Sequence, residues 1–294
     1  MKRLITLLMF SILAQASSLS QYEVSHFCIT PHGDEEVAIL RTFMSQGKPY
    51  QLMLNTQTLQ SSITPRVLTM GHPCGDSRYI RLLKESITPP SPLQNDGITQ
   101  GHRGITITTD LCPSSKEGFE QRLYEAMIEK FPHPASVTLF ITGKWIEKHE
   151  QALAQFLTWE KEHKLSITWG NHTYAHPYHP KVPLAENFSL SKGYDLREDT
   201  LKLEKMLISR GITPSVFFRF PGLVSDPKAM QTIHDLGLIT IGSDTWIAKG
   251  QKVKEGSIIL LHGNKNEPKG VEMFLEMLDQ GKVKEIDSLD SVLP

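Results

Sequence analysis

The sequence has few cysteines, no excess of either charge and no long apolar run beyond its first residues. Three cysteines in 294 residues are too few for a small disulfide scaffold. The 31 basic and 32 acidic residues leave no positive field to attract nucleic acid. No later segment has the roughly 20 apolar residues that a membrane-spanning helix needs. What is present, 39% hydrophobic residues, can form the core of an ordinary globular domain.

The first 16 residues have the pattern of an export signal. Met1 to Arg3 is positively charged, Leu4 to Leu13 is a short apolar stretch, and Ala14 to Ala16 has the small residues of a signal-peptidase site. The apolar stretch is too short to span a bilayer. We therefore predict a signal peptide over residues 1–16 and an exported protein, periplasmic or secreted, with no membrane span after cleavage.

An odd number of cysteines in an exported protein leaves one unpaired. Cys28 and Cys74 are expected to form a disulfide in an oxidising compartment. Cys112 then remains alone, two residues after Asp110. It is either a small buried hydrophobic residue, as free cysteines often are, or a functional thiol beside a carboxylate.

The organisation of the chain changes near residue 100. Before it, the pattern predicts a helix over residues 36–46, a strand over 50–59, a helix over 77–86 and a connecting segment over 86–104. We assign residues 17–102 to an N-terminal extension of unknown role and residues 103–294 to a second, larger domain.

Strands and helices alternate after residue 100. This alternation predicts a parallel sheet, and six or seven units favour closure into a barrel over an open sheet. The predicted strands are residues 104–109, 136–141, 166–169, 217–220, 238–242 and 257–262. The predicted helices are residues 116–130, 147–164, 195–210, 227–236 and 269–280.

Polar residues lie where these strands end, and the carboxyl ends of barrel strands meet at one rim. His172 and His176, four residues apart, would reach one metal ion from one side of a helical turn. A nearby carboxylate would serve as the base that activates water. The pattern therefore predicts a metal-assisted hydrolase. The strand-end residues are Asp110, His172, Arg219, Asp244 and His262.

From about Arg103 to Pro294, the chain resembles the polysaccharide deacetylase family, carbohydrate esterase family 4. That family has five short motifs on a distorted (β/α)7 barrel. Thr108 to Leu111 stands in place of the first motif, Thr-Phe-Asp-Asp, and His172 to His176 (His-Thr-Tyr-Ala-His) matches the second in full. Arg219 to Gly222 (Arg-Phe-Pro-Gly) is similar to the third motif. Asp244 to Trp246 and Leu261-His262 are similar to the fourth and fifth; their order and spacing carry the resemblance.

The resemblance implies a deacetylase that acts on N- or O-acetylated glycans, peptidoglycan or chitin-like, with a divalent metal ion that we expect to be Zn²⁺. It implies that Asp110 is the general base, held charged by a bidentate ion pair with Arg219. It implies that His262 is the general acid and that Asp244 fixes its tautomer. Trp246 would pack against His262 and wall the site, and Gly222 or a neighbour would supply an oxyanion N–H.

One position departs from the family pattern. The family's aspartate ligand is the second of an Asp-Asp pair, and here Leu111 stands there. Either Cys112 supplies a thiolate ligand, or Asp110 binds the metal itself, or the metal is lost and the protein is a catalytically silent, secreted glycan-binding protein. Strand alternation predicts that Asp110 and Cys112 face one cavity, with Leu111 turned into the wall.

Two weaker metal-site signals are also present. His179 is a further candidate ligand, although Pro180 and its loop favour exposure to solvent. The segment from Thr30 to Glu35 faintly resembles the metal motif of an unrelated zinc-dependent N-acetylglucosamine deacetylase family.

Overall fold

The structure, a computed structural model, describes residues 19–30, 35–66, 70–87, 93–132 and 134–294. The predicted signal peptide and most of the segment from Thr30 to Glu35 lie outside these ranges. None of the helices in the described ranges has the length and apolarity needed to cross a membrane.

The N-terminal part is an antiparallel four-stranded sheet followed by a helix. The strands pair in sequence order: β1 (Leu19–Ile29), β2 (Val37–Ser45), β3 (Lys48–Asn55) and β4 (Ser61–Pro65). Helix α1 (Arg78–Ser86) begins after Ser77, whose side chain accepts a hydrogen bond from the Ile80 N–H. Helix α1 confirms the predicted helix over residues 77–86, and β3 confirms the predicted strand over residues 50–59 as far as Asn55, after which the chain turns.

The helix predicted over residues 36–46 is wrong, because this segment is the central strand β2. Its first seven residues, Val37 to Phe43, are all buried, and β1 and β3 pair with it on either side. A strand covered on both faces shows a continuous apolar run without period-two alternation, and such a run cannot be told from a buried helix.

The predicted disulfide is confirmed. Cys28 at the end of β1 is bonded to Cys74, with their Cα atoms 4.9 Å apart.

The rest of the chain forms a curled sheet of parallel strands surrounded by helices. Two short strands, β5 (Leu93–Gln94) and β10 (Val224–Ser225), pair separately. The sheet contains β6 (Ile105–Leu111), β7 (Ala135–Ile141), β8 (Leu165–Asn171), β9 (Phe217–Phe218), β11 (Ile239–Thr240), β12 (Thr245–Trp246) and β13 (Ser257–His262). Their spatial order is β11-β9-β8-β7-β6-β13-β12. The fold is the predicted (β/α)7 type, with its opening between β11 and β12.

Helices connect these strands at the predicted places, with one break in a predicted helix and one further short helix, over residues 289–292, that was not predicted. They are α2 (Gln121–Lys130), α3 (Gly143–Lys148), α4 (Glu150–Lys161), α5 (Leu196–Ser209), α6 (Pro227–His234), α7 (Pro268–Asp279) and α8 (Leu289–Val292). The long helix predicted over residues 147–164 is interrupted at His149, which has φ −130° and ψ 42°. Its ring contacts the carbonyl groups of Trp145 and Lys116 at 2.9 Å, which fixes the break.

Residues ahead of β6 bridge the opening in the barrel. The Ile98 N–H donates to the Thr240 carbonyl at 3.0 Å, and the Gly242 N–H donates to the Ile98 carbonyl at 2.9 Å. The Asn95 side chain donates to the Ser243 carbonyl and accepts from its N–H. The connecting segment is therefore joined by hydrogen bonds to the end of β11 and to the residues that follow it, next to the site.

The N-terminal sheet shares its core with the barrel. Leu40, Leu52 and Leu54 belong to one buried cluster with Phe217 and Ile258 of the barrel strands. Arg41 of β2 also forms a bidentate ion pair with Glu204 of α5, at 2.7 and 2.8 Å, and both side chains are buried. The sheet is thereby fixed against the barrel by apolar packing and by one buried charge pair.

Candidate active site

A cavity of about 540 Å³ opens at the carboxyl ends of the parallel strands. It brings together most of the predicted site residues. Its lining is Asp110, Cys112, Pro113, His172, Ala175, His176, Tyr178, Phe188, Gly222, Leu223, Trp246, Leu260, His262, Asn266 and Glu267. Asp110 and Cys112 both face it, whereas Leu111 is buried in the core cluster that contains Phe119 and Leu123. The predicted alternation along this strand is confirmed.

Asp110 is a buried carboxylate held by Arg219. The Arg219 Nη1 donates to Asp110 Oδ1 at 2.8 Å. Burial raises the pKa of Asp110, but the positive charge of Arg219 and the neighbouring His172 and His262 outweigh it, and the pKa lies below its ordinary value. The carboxylate is therefore ionised at neutral pH.

The predicted bidentate pairing of Arg219 with Asp110 is wrong. Only Nη1 reaches Asp110, because Nη2 donates to the Gly242 carbonyl at 2.8 Å and Nε to the Ile241 carbonyl at 3.3 Å. The guanidinium also lies over the Phe140 ring, 4.2 Å from its centroid. Arg219 is thus locked in place by the barrel backbone and presents a single donor to Asp110.

The two histidines meet through a loop, so the expected helical turn is not present. Strand β8 ends at Asn171, and both Thr173 (φ 67°) and His176 (φ 44°) have left-handed backbone conformations. Asp199 of α5 holds this loop, since its Oδ2 accepts hydrogen bonds at 2.8 Å from the N–H groups of Tyr174 and Ala175. The imidazole rings of His172 and His176 lie 4.9 Å apart.

Cys112, His172 and His176 form a compact set of potential metal ligands. One ligand atom from each lies within 4.8 Å of the others, and the Cys112 Sγ is 3.6 Å from the His172 Nε2. The His172 Nδ1 lies 2.8 Å from the Arg219 carbonyl, which makes Nδ1 the protonated nitrogen and leaves Nε2 as a lone-pair donor. The His176 Nε2 is buried without a hydrogen-bond partner. A buried lone pair without a partner is costly, and a metal ion would satisfy it.

The surroundings of Cys112 favour the thiolate form of its side chain. Burial raises the pKa of the Cys112 thiol, but His176, His172 and His262 lower it, and the net pKa lies well below its usual range. The Asn264 side chain donates to the Cys112 carbonyl at 2.8 Å and fixes the backbone that carries the sulfur. The sequence contains no signal that would have identified Asn264 as a residue of this site.

His262 is held by Glu267, and the assignment of that role to Asp244 is corrected. The His262 Nδ1 lies 3.1 Å from the Glu267 Oε2. Asp244 instead accepts from the Ile258 N–H at 2.9 Å and lies 3.6 Å from the Lys254 ammonium. Because β12 runs beside β13, the carboxylate just before β12 reaches the start of β13, whereas His262 lies at its end.

Sequence reasoning missed Glu267. The signal available was its place five residues after His262 and directly before Pro268, where α7 begins. Pro at the first position of a helix marks Glu267 as the cap residue, whose side chain is free to turn back toward the strand end.

Trp246 and Gly222 lie in the cavity as predicted. The Trp246 ring is 5.7 Å from the His262 ring, and its Nε1 donates to Glu267 Oε2 at 2.7 Å. Gly222 has φ 62°, and a Cβ there would lie 2.6 Å from the Phe188 ring. The neighbouring Leu223 N–H is engaged by the Phe220 carbonyl. His179 is exposed and outside the cavity lining, as expected.

Comparison with known proteins agrees with this geometry. Residues 97–241 match the family model described as polysaccharide deacetylase. A family 4 carbohydrate esterase from Bacillus anthracis is 21% identical, with 75% of this chain and 95% of that chain covered and a TM-score of 0.50. Its likeness shows the fold.

Two further structures illustrate the range of similar proteins. The chitin deacetylase from Colletotrichum lindemuthianum is 17% identical, over 68% of this chain and 92% of that one, with a TM-score of 0.47. BA3943 from Bacillus anthracis is described as a family 4 pseudoenzyme. It is 15% identical, with 70% of this chain and 69% of that chain covered and a TM-score of 0.44.

Proposed function

Because the chain belongs to the polysaccharide deacetylase family, we propose that it is an exported metal-dependent hydrolase that removes acetyl groups from an N- or O-acetylated glycan. One observation carries this proposal: Cys112, His172 and His176 converge within 4.8 Å beside the ionised Asp110, and His262 lines the same cavity. These are the parts that metal-assisted hydrolysis of an acetamide requires.

The donor set fits a zinc ion. One thiolate and two imidazoles are ligands that Zn²⁺ accepts, and catalytic zinc sites keep three protein ligands and an open position. Cys112, His172 and His176 would hold the ion, with Cys112 in place of the aspartate that the family pattern has at Leu111. When bound, the cation supplies Lewis-acid polarisation of the acetyl carbonyl and lowers the pKa of a water.

Asp110 is the general base in this proposal. Its Oδ1 is occupied by Arg219, and its Oδ2 faces the His172 side of the cavity, 3.7 Å from Nε2. That free oxygen is placed to accept the proton of an attacking water. Arg219 keeps the carboxylate ionised and fixes its orientation, so that little reorganisation is needed during the reaction.

His262 is the general acid, and Glu267 is its positioning residue. The contact from Glu267 Oε2 fixes the proton on Nδ1 and turns Nε2 toward the cavity. Burial lowers the pKa of His262, but Cys112 and Glu267 raise it, and the net value is about 10. A protonated His262 would donate its proton to the departing amine. The Gly222 N–H would donate to the carbonyl oxygen as negative charge develops there.

The proposal also includes a compartment and a class of substrate. The Cys28–Cys74 disulfide supports export into an oxidising compartment. The family supports an acetylated glycan of the peptidoglycan or chitin-like kind as substrate. A catalytically silent, secreted glycan-binding protein is the competing function, because Leu111 replaces the family's ligand aspartate.

The test combines metal analysis with an acetate assay. The purified protein should carry about one equivalent of zinc, as a three-ligand catalytic site with one open position predicts. It should release acetate from at least one member of a panel of acetylated glycans and lose this activity on chelation. Protein that binds glycans but no metal, and releases no acetate after zinc is added, would establish the silent glycan-binding function instead.

A further inference from the structure

An exposed aromatic side chain stands at the mouth of the cavity. Among the described residues, three large hydrophobic side chains are exposed, and two of them, Tyr178 (57%) and Leu184 (41%), lie in the loop that follows His176. Tyr178 also lines the cavity, whereas Leu184 does not. An exposed apolar ring that borders a cavity is a candidate contact for a ligand.

The Tyr178 ring is held in a fixed orientation. It stacks on the Phe188 ring, with centroids 5.1 Å apart and an interplanar angle of 22°. Phe188 is buried, lies edge-on to His176 at 5.7 Å, and packs where Gly222 has no side chain. One face of Tyr178 is therefore covered, and the opposite face is presented to the surroundings.

The loop that carries both rings is tied together by Asn187, which is 1% exposed. Its Oδ1 accepts from the N–H groups of His179 and Phe188 at 3.0 and 2.9 Å. Its Nδ2 donates to the carbonyl groups of His179 and Val182 at 2.7 and 3.0 Å. All of its donor and acceptor capacity is used to hold the loop, so Tyr178 is ordered before any ligand arrives.

We propose that Tyr178, backed by Phe188, is a subsite that stacks on the pyranose ring next to the acetylated sugar. The axial C–H groups of a hexopyranose give it an apolar face that matches a flat aromatic ring. Trp246 lines the cavity on the side of His262 and Tyr178 on the side of His176, so a glycan passing over the site contacts an aromatic ring on the His176 side. We therefore expect the substrate to contain at least two linked hexopyranose units.

This inference rests on the proposed function for its ligand, and its test does not require turnover. Binding of N-acetylglucosamine and its tetramer to the wild-type protein, Tyr178→Ala, Tyr178→Phe and Leu184→Ala would be measured by calorimetry. Tyr178→Ala should bind the tetramer about tenfold more weakly, the scale of one lost stacking contact, and should bind the monomer unchanged. Tyr178→Phe and Leu184→Ala should behave as the wild type.

Each possible outcome either supports or overturns the Tyr178 subsite. Equal tetramer affinity of Tyr178→Ala and wild type, an equal loss for monomer and tetramer, or no tetramer binding by the wild type would overturn the subsite. A wild type that binds the tetramer through Tyr178 but releases no acetate would uphold the subsite and reject the proposed hydrolase.

Discussion

Glu267 Oε2 contacts His262 Nδ1 at 3.1 Å and accepts the Trp246 Nε1–H at 2.7 Å. One carboxylate oxygen from the start of α7 thus orients both aromatic side chains on this side of the cavity. The aspartate of the fourth motif lies against the backbone of β13 instead.

Glu267→Gln should therefore slow deacetylation more than Asp244→Asn does. Loss of a carboxylate that orients a catalytic histidine costs roughly 10- to 100-fold, by analogy with the outer contacts of metal-bound histidines. Steady-state kinetics should show the loss in kcat rather than in KM. An Asp244→Asn protein that is folded and more impaired than Glu267→Gln would return the role to Asp244.

The titration of His262 gives a second check on the same contact. The folded pKa is raised to about 10, so the imidazolium is retained through neutral pH. Because the folded pKa exceeds the unfolded one, the associated stability is fully present below about pH 6.5 and is lost as pH rises toward the folded pKa. NMR titration of the metal-free protein should show this high pKa and a lower one in Glu267→Gln.

Cys112→Ser should bind zinc much more weakly than the wild type. The substitution removes the thiolate from a three-residue ligand set, and a hydroxyl is a poor replacement. His176→Ala should lose the metal in the same way, whereas His179→Ala, three residues away and exposed, should keep it. Competition with a chromophoric chelator measures the affinities.

The reactivity of Cys112 tests the same assignment without substitution. The thiol should resist alkylation in zinc-loaded protein and react once a chelator is added, because coordination occupies the sulfur. Rapid alkylation of the loaded protein at Cys112 would remove the sulfur from the ligand set.

Asp110→Asn should abolish most of the activity while the metal is retained. The amide keeps the shape of the side chain but cannot accept a proton, and loss of a general base costs about 10²- to 10⁴-fold. A variant with more than about a tenth of wild-type turnover would exclude Asp110 as the base. Loss of zinc together with activity would instead identify Asp110 as a ligand.

The ion pair between Arg41 and Glu204 should contribute strongly to the stability of the whole chain. Glu204→Gln leaves the Arg41 charge buried without its partner, and such losses cost about 3–5 kcal/mol. Glu198→Gln, an exposed position on the same helix, should change the free energy of unfolding by less than about 0.5 kcal/mol. Urea denaturation of the three proteins measures the difference.

The sequence was sufficient for the barrel and for most of the cavity, but not for the N-terminal sheet, of which it predicted one strand. The spacing of apolar residues in strands and helices predicted the parallel sheet. The alternation of side chains along β6 correctly predicted that Cys112 faces the same cavity as Asp110 and that Leu111 faces the core. These successes have one cause: side-chain direction in a regular element depends on local spacing alone.

The errors arise where the position or burial of a side chain depends on contacts with segments that are distant in the sequence. The approach of His172 to His176 depends on a loop with two left-handed residues that Asp199 holds from α5. The partner of His262 depends on where α7 begins, and the burial of residues 37–43 depends on two neighbouring strands. Such contacts join segments far apart in the chain, which periodicity cannot detect.

The order of the three cysteines has a consequence for oxidative folding. Three thiols allow three different single disulfides, and only one of them leaves Cys112 reduced. If the proposed export proceeds from the N-terminus, Cys28 and Cys74 enter the oxidising compartment before Cys112 does. Once Cys28 and Cys74 are bonded to each other, neither can form a disulfide with Cys112. The Cys112 thiol therefore enters the compartment with no free cysteine in its own chain to pair with.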